Sequence, residues 1–501
     1  MNNQQRPSFE QDAMPIGEIL LLLILFVAGL SFFLFSQQGL RLDEAQSLWQ
    51  AYHSPLKILQ IVSEDVHVPL YHLILHYWQI LMGEGLEQAR MLSLIFFALG
   101  IPALFLLGRS AYNSSVGLYA AILFAVSPFM NWFGNEIRMY TLLTLLAILS
   151  HYFFLKILRN QTGWLVWTGY FFVSLFGIFT HYLYFLLLCS QWAFAFFQRK
   201  QISFAAIRNF FIVSLLLGIV FSPWIFYIVM NESSPNAVPH LASPTSIDLL
   251  NAFSQFLFGF QTTHFNTIIL SLWPMTTLFG FLAIQKNRKI SLEATYFLVT
   301  LFVPVLLLFL VSITLQPAFL SRYLIFTVPS LYLLISWLFF VYPSKIATFL
   351  QITLIALMIG SLLFEVTNAR NPEREDYKTV SAYLLQNAAP QDIIILSAPF
   401  TIYPILYYYD GPTQIATLPI WDRYQRGPIP PFDESALPDQ VRQLGDHHQK
   451  AWLLLSYDQG YKEKIKMYFD TRFERLETRQ FSPGLTLSVY RLRYDTPDLN
   501  L

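Results

Sequence analysis

Apolar stretches of about twenty residues recur along the chain from Ile16 to Phe364, separated by short polar turns, and each is long enough to cross a bilayer as a helix. The pattern predicts spans near 16–37, 91–108, 115–133, 138–158, 163–180, 182–198, 208–230, 266–285, 292–314, 323–341 and 345–364. A longer polar stretch, 38–90, interrupts the first two, and within it Ala45–His53 and Leu56–Ile61 read as short amphipathic helices on the membrane face. Segment 231–265 is rich in proline and serine and reads as irregular, with Ile247–Phe260 dipping back into the interface. After Phe364 the period changes. Asp376–Asn387 has helical spacing, whereas Asp392–Leu396, Ala451–Ser456 and Leu485–Leu492 are strand-like. The expected architecture is an α-helical polytopic membrane protein of about eleven spans, residues 1–365 with a long first outer loop, followed by a soluble α/β domain over 366–501.

Composition agrees with this division. Only 12% of the 501 residues are charged and the net charge is zero, which speaks against a nucleic-acid partner. The single cysteine, Cys189, lies in an apolar run, so the tail folds without a disulfide of its own. The first apolar run lacks a cleavage pattern and reads as a retained span. With the N-terminus inside, the inner segments before residue 365 hold eleven basic residues and the outer ones five: Arg41, Lys57, Arg90, Arg138 and Arg322. The positive-inside rule then puts the N-terminus in the cytoplasm, and loop 38–90 and the tail outside.

The polar residues of the outer turns are the candidates for chemistry. Arg41, Asp43 and Glu44 follow span 1, and His67 and Tyr71 close the first loop. Glu136, Arg138 and Tyr140 sit at the turn between spans 3 and 4, His181 and Tyr182 between spans 5 and 6, and Arg322 and Tyr323 at the turn between spans 9 and 10. Charges at a membrane edge are costly and need a partner or a cavity. Each also has a plainer reading: Arg41 and Asp43 as a surface pair, Glu136 and Arg138 as a capped turn, His181 and Tyr182 as an interfacial belt. His72 and His76 have metal-ligand spacing on a helix, for which packing is the simpler account. The set as a whole suits transfer from an anionic lipid: a carboxylate to take a hydroxyl proton and arginines to hold a phosphate. Asp43 and Glu44 are the catalytic candidates, and the other residues of this set are the substrate- or donor-binding ones. No cofactor is named by the residues. A divalent cation is left open, with its ligands unknown.

Arg41-Leu-Asp-Glu-Ala45, His67-Val-Pro-Leu-Tyr71 and Glu136-Ile-Arg-Met-Tyr140 resemble motifs of the GT-C membrane glycosyltransferases. The likeness is to the bacterial family-39-like group related to protein O-mannosyltransferases and the lipid A aminoarabinose transferase. In the tail, Arg374-Glu-Asp-Tyr-Lys-Thr-Val380 and Asp392-Ile-Ile-Ile-Leu396 are similar to bacterial members. The resemblance implies a GT-C-like fold and an inverting transferase that takes sugar from a polyprenyl-phosphate donor to an acceptor glycan, lipid or protein at the outer face of the bacterial cytoplasmic membrane. It maps the family's catalytic carboxylate onto Asp43, and its His-Pro-Pro-Leu-Tyr signature onto His67–Tyr71 with Val68 in place of the first proline. A lipid-linked glycan ligase, a flippase or transporter, and a non-catalytic scaffold remain the alternatives. The lack of an inverted repeat or of paired broken helices counts against transport.

Overall fold

The computed structural model describes residues 15–35, 38–65, 67–161, 163–200, 202–230, 241–260, 291–341, 344–367, 375–424, 429–457 and 459–492. Helix α1 (Ile16–Phe35) leads into three short helices of the first loop, α2 (Leu42–Ala51), α3 (Pro55–Ser63) and α4 (Leu70–Met82). The bundle continues through α5 (Leu86–Ala111), α6 (Ser114–Val126), α7 (Pro128–Gly134), α8 (Tyr140–Leu158), α9 (Trp164–Thr180), α10 (Tyr184–Phe197), α11 (Phe204–Met230) and α12 (Ser246–Phe258). It ends with α13 (Leu292–Thr314), α14 (Val328–Val341) and α15 (Lys345–Thr367). Among the described residues, seven helices are long and apolar enough to cross a membrane, or eight if one bent pair counts as a single span. The chain is a multi-pass membrane protein.

Several expected spans take a different form. The run 115–133 is two helices, α6 and α7, bent by 61° at Ser127. Pro128 has no N–H to continue the α6 ladder. Ser127 Oγ instead accepts from Met130 N at 3.1 Å, and Asn131 Nδ2 donates to the carbonyls of Ala125 and Ser127, both at 2.8 Å. The bend is thus closed by side chains that satisfy the backbone groups the proline leaves open. The runs 163–180 and 182–198 fold as helices of 17 and 14 residues, short for a lone crossing. The run 323–341 begins as a 3-10 helix, Ser321–Thr327, before α14. Span 266–285 lies outside the described residues.

Close helix contact is set by small residues and buried polar pairs. A Cβ on Gly108 would lie 2.6 Å from the Gly117 Cα, so α5 and α6 touch backbone to backbone. In mid-bundle, His151 Nδ1 lies 2.7 Å from Tyr296 Oη, and Gln191 Nε2 donates to the same oxygen at 3.1 Å. Tyr170 Oη donates to Gln191 Oε1 at 2.6 Å, so α8, α9, α10 and α13 are joined with their polar atoms paired inside the protein. Helices α1, α11 and α15 are by contrast mostly exposed, with the apolar surface that lipid requires.

The tail is a five-stranded sheet, β1 (Ile393–Ser397), β2 (Gln414–Thr417), β3 (Lys450–Leu455), β4 (Glu474–Ser482) and β5 (Leu485–Arg491), in the order β2-β1-β3-β5-β4. β1 is parallel to β2 and β3, and β5 is antiparallel to β3 and β4. Strands β1, β3 and β5 match the apolar runs of the sequence. The exposed charged strand β4 gave no such signal, because pairing with β5 rather than burial makes it a strand. Helix α16 (Tyr377–Asn387) starts on Asp376, whose carboxylate accepts from Thr379 N at 3.0 Å, and helix α17 (Ile402–Tyr408) follows β1. The tail docks on the first loop through α17. Leu40 N donates to Tyr408 Oη at 2.9 Å, and the rings of Trp49 and Tyr403 lie 5.1 Å apart.

Candidate active site

Helix α2 carries the acidic pair to the outer end of the bundle, and the two carboxylates diverge from there. Asp43 faces the open side: Arg322 Nη1 donates to its Oδ2 at 3.1 Å, and both side chains are 32% exposed. Among the described residues, Asp43 Oδ1 has no protein partner. Arg138 crosses beneath, donating to the Asp43 carbonyl at 3.4 Å and to Ser47 Oγ at 3.2 Å. Its Nη2 lies 2.6 Å from His67 Nε2. An arginine can only donate, so His67 accepts there and carries any neutral-ring proton on Nδ1. Arg138 is therefore fully engaged at both terminal nitrogens. Arg322 uses only Nη1, which leaves its Nε–Nη2 edge, the planar fork that fits two phosphate oxygens, without a partner among the described residues.

Glu44 points inward and is fully buried. Arg90 donates to it from Nε at 2.9 Å and from Nη2 at 2.7 Å, and Arg41 N and Ile137 N donate at 2.9 and 3.1 Å. Arg90 completes its valences on the carbonyls of Gln38 and Gly39. This pair joins the end of α1, the start of α2, α5 and the 135–139 turn. Glu44 thus anchors the loop that carries Asp43 and does not share its exposed side. Arg90 lies within α5 and not ahead of it. It is the site residue that the sequence reading left out of its set, although it shares with Arg322 the signal of a basic residue on the sparsely basic side.

The remaining candidates divide. Arg41 turns away from Asp43: its guanidinium stacks 3.4 Å from the Trp132 ring centroid, donates to Gln38 Oε1 at 3.0 Å and faces Glu136 at 3.8 Å. The expected Arg41–Asp43 pair is replaced by Arg322–Asp43, since the extended backbone at Arg41 precedes the first helical turn and sends the two side chains apart. Tyr71 supports the turn from below, its Oη 3.1 Å from Ser93 Oγ, which donates to the Arg138 carbonyl at 3.3 Å. His181 lies between the rings of Tyr140 and Tyr323, at 6.4 and 5.5 Å, and closes the far side of the cluster. Tyr182 is not part of it. Its hydroxyl accepts from Trp224 Nε1 at 3.1 Å, in a separate apolar cluster. His76 Nδ1 lies 2.8 Å from the Ala51 carbonyl, so the His72–His76 spacing builds no metal pair. Among the described residues no group of three or more His, Cys, Asp or Glu side chains converges, so no step is derived through a metal.

Electrostatics sets three carboxyls to different states. Burial would push Asp43 up, but the guanidiniums of Arg138 and Arg322 outweigh it and hold the group below the ordinary carboxylate range. Glu44 is likewise held down against burial, chiefly by Arg90. Burial and the two neighbouring anions push Glu136 up to about 7, against the guanidiniums of Arg41 and Arg138. One acid is ionised and open, one ionised and locked, and one titrates near neutrality.

Residues 66–227 match the family model of dolichyl-phosphate-mannose-protein mannosyltransferases. No curated protein sequence matches the chain. The fold is similar to that of ArnT from Cupriavidus metallidurans in its apo state, with a TM-score of 0.62 and 11% identity, covering 94% of this chain and 98% of that one. The same enzyme bound to undecaprenyl phosphate gives 0.62 at 10% identity, covering 95% and 98%. The archaeal oligosaccharyltransferase AglB from Archaeoglobus fulgidus, in complex with an inhibitory peptide and a dolichol-phosphate, gives 0.51 at 12% identity, covering 97% of this chain and 75% of that one. Residues 66–227 thus resemble the dolichyl-phosphate-mannose-protein mannosyltransferases, and the chain as a whole shares its fold with ArnT.

Proposed function

We propose that the protein is an inverting glycosyltransferase that moves a sugar from a polyprenyl-phosphate donor to an acceptor hydroxyl at the outer face of the bacterial cytoplasmic membrane. The observation that carries this is the Asp43–Arg322 pair. One carboxylate oxygen is held by a guanidinium and the other is open, while that guanidinium keeps its two-donor edge free. The acceptor oxygen attacks the anomeric carbon, and its proton passes to Asp43 Oδ1. The bond between that carbon and the phosphate oxygen breaks, and the electron pair stays on the polyprenyl phosphate, whose charge Arg322 stabilises. A single displacement inverts the anomeric centre. The polyprenyl-phosphate ligands of the ArnT and AglB structures support the donor class.

In this reading Arg138 and Glu44 are positioning residues, the first holding His67 and the backbone of Asp43, the second fixing the start of α2. His67, Tyr140, His181 and Tyr323 line the donor side. Residues 366–501 form a module outside the membrane that braces α2 and supplies no catalytic group. The test is transfer from synthetic polyprenyl-phosphate sugars by the purified protein in lipid vesicles, with the anomeric configuration of the product read by NMR. Retained configuration, or no transfer from any such donor, overturns the proposal.

A further inference from the structure

The end of the bundle opposite the candidate site carries a cluster of exposed cations. Helices α10 and α11 form a hairpin there: Trp192 Nε1 donates to Ser214 Oγ at 2.9 Å, and the rings of Trp192 and Phe210 lie 4.4 Å apart. Arg199, Lys200 and Arg208 are all exposed at its tip. The sequence has no Asp or Glu between Glu136 and Glu232. Among the described residues none of the three cations forms an ion pair, and Arg208 donates only to Asn209 Oδ1, from Nε and Nη2, both at 3.4 Å. Arg159, at the same end, is built differently. It donates to Glu293 at 2.8 Å and to the carbonyls of Ser110 and Ala111, which close α5.

The depth of these charges follows from α11. Trp224, whose indole donates to Tyr182, marks the site end of the helix, and Phe204 lies twenty residues away. That is about 30 Å of helix, the thickness of the hydrocarbon layer. Phe196, Phe197 and Phe204, at 60%, 76% and 80% exposed, therefore stand at the far edge of the hydrocarbon. Arg208 is one turn, about 6 Å, nearer the bilayer centre on the same lipid-facing helix. A charge at that depth needs a partner, and its long side chain can reach one only by extending toward the headgroups. We infer that the tip of this hairpin binds an anionic phospholipid of the leaflet opposite the site. The headgroup phosphate accepts from Arg208, Arg199 and Lys200 in place of the missing carboxylates. The three phenylalanine rings lie among its acyl chains, which selects a lipid over a soluble anion. This site stands apart from the transferase reading.

Full-length protein in detergent is titrated with phosphatidylglycerol and, separately, with phosphatidylcholine, and bound lipid is counted by native mass spectrometry. Phosphatidylglycerol should bind more tightly by about tenfold or more, the scale expected of several basic residues at a membrane surface. Arg208→Gln should cut that preference about fivefold, Arg208→Lys should keep most of it, and Arg199→Gln with Lys200→Gln and Arg208→Gln together should erase it. Thermal unfolding without added lipid checks that each variant is folded. If the triple variant is not, the Arg208 pair carries the test. Equal binding of the two lipids by the parent protein, or a preference untouched by these changes, overturns the inference. An equal loss in Arg109→Gln, an exposed cation in the last turn of α5 at the same end, assigns the preference to general charge and also overturns it. Equal competition by inorganic phosphate overturns the lipid part.

Discussion

Asp43 and Arg322 are separated by 279 residues of chain and by 3.1 Å in space. The contact joins the first loop to the start of the tenth predicted span, and in the proposed reaction the acid and the guanidinium take opposite tasks within one ion pair. Asp43→Asn keeps the shape and a hydrogen bond but removes the base. Transfer should fall by about 10²–10⁴-fold while donor affinity survives, measured by turnover alongside lipid binding. Wild-type turnover in this variant would remove Asp43 from the reaction.

Arg322 is expected to hold the donor phosphate through its free edge. Arg322→Ala should weaken donor binding by about 10–100-fold, the value of one or two charge-assisted hydrogen bonds. Arg322→Lys keeps the charge and loses the fork, so it should fall between the two. Equal donor affinity in all three proteins, by titration with the polyprenyl phosphate alone, would exclude the contact.

The Glu44–Arg90 pair should act on stability before it acts on catalysis. Arg90→Ala leaves a buried carboxylate uncompensated and should cost about 3–5 kcal/mol. The double variant Glu44→Gln, Arg90→Met should recover much of that loss, since it removes both charges. Thermal unfolding of the single and double variants in detergent measures the difference.

Glu136 predicts a pH dependence with a defined sign. Its carboxyl is raised in the folded protein, from 4.5 to about 7, so within that window the fold binds a proton that the unfolded chain has released. Stability contributed by this group is therefore lost as pH rises from about 4.5 to about 7. Asp43 runs the other way: its lowered value gives stability that is present above 3.8 and lost as pH falls through the folded value. Glu136→Gln should flatten the first slope and leave the acid limb in place, read from unfolding temperatures across the range.

The orientation proposed for the tail is checked with an exposed residue of helix Lys462–Arg472. Met467, 66% exposed, is changed to cysteine in a Cys189→Ser background. An impermeant thiol reagent should label it on intact cells. Labelling only after lysis inverts the topology.

The sequence by itself determined the membrane class, the change of character after Phe364 and the strands β1, β3 and β5, because each rests on an apolar period that holds within a short window. It also singled out Asp43, Arg138 and Arg322, since charge at a membrane edge needs a reason wherever it occurs. Tertiary structure decided which partners they take. Arg41 is two residues from Asp43 yet pairs with Glu136, and Arg322 arrives from the far end of the bundle. The break at Ser127–Pro128 escaped a hydropathy reading because proline and serine barely lower the mean of an apolar window, though they end a helix. Glu44 and Asp43 are adjacent and chemically alike, and only the direction in which one turn of helix sends their side chains makes one a buried anchor and leaves the other open. That direction is fixed by Arg90 and Arg322, and contacts over such separations leave no local period in the sequence.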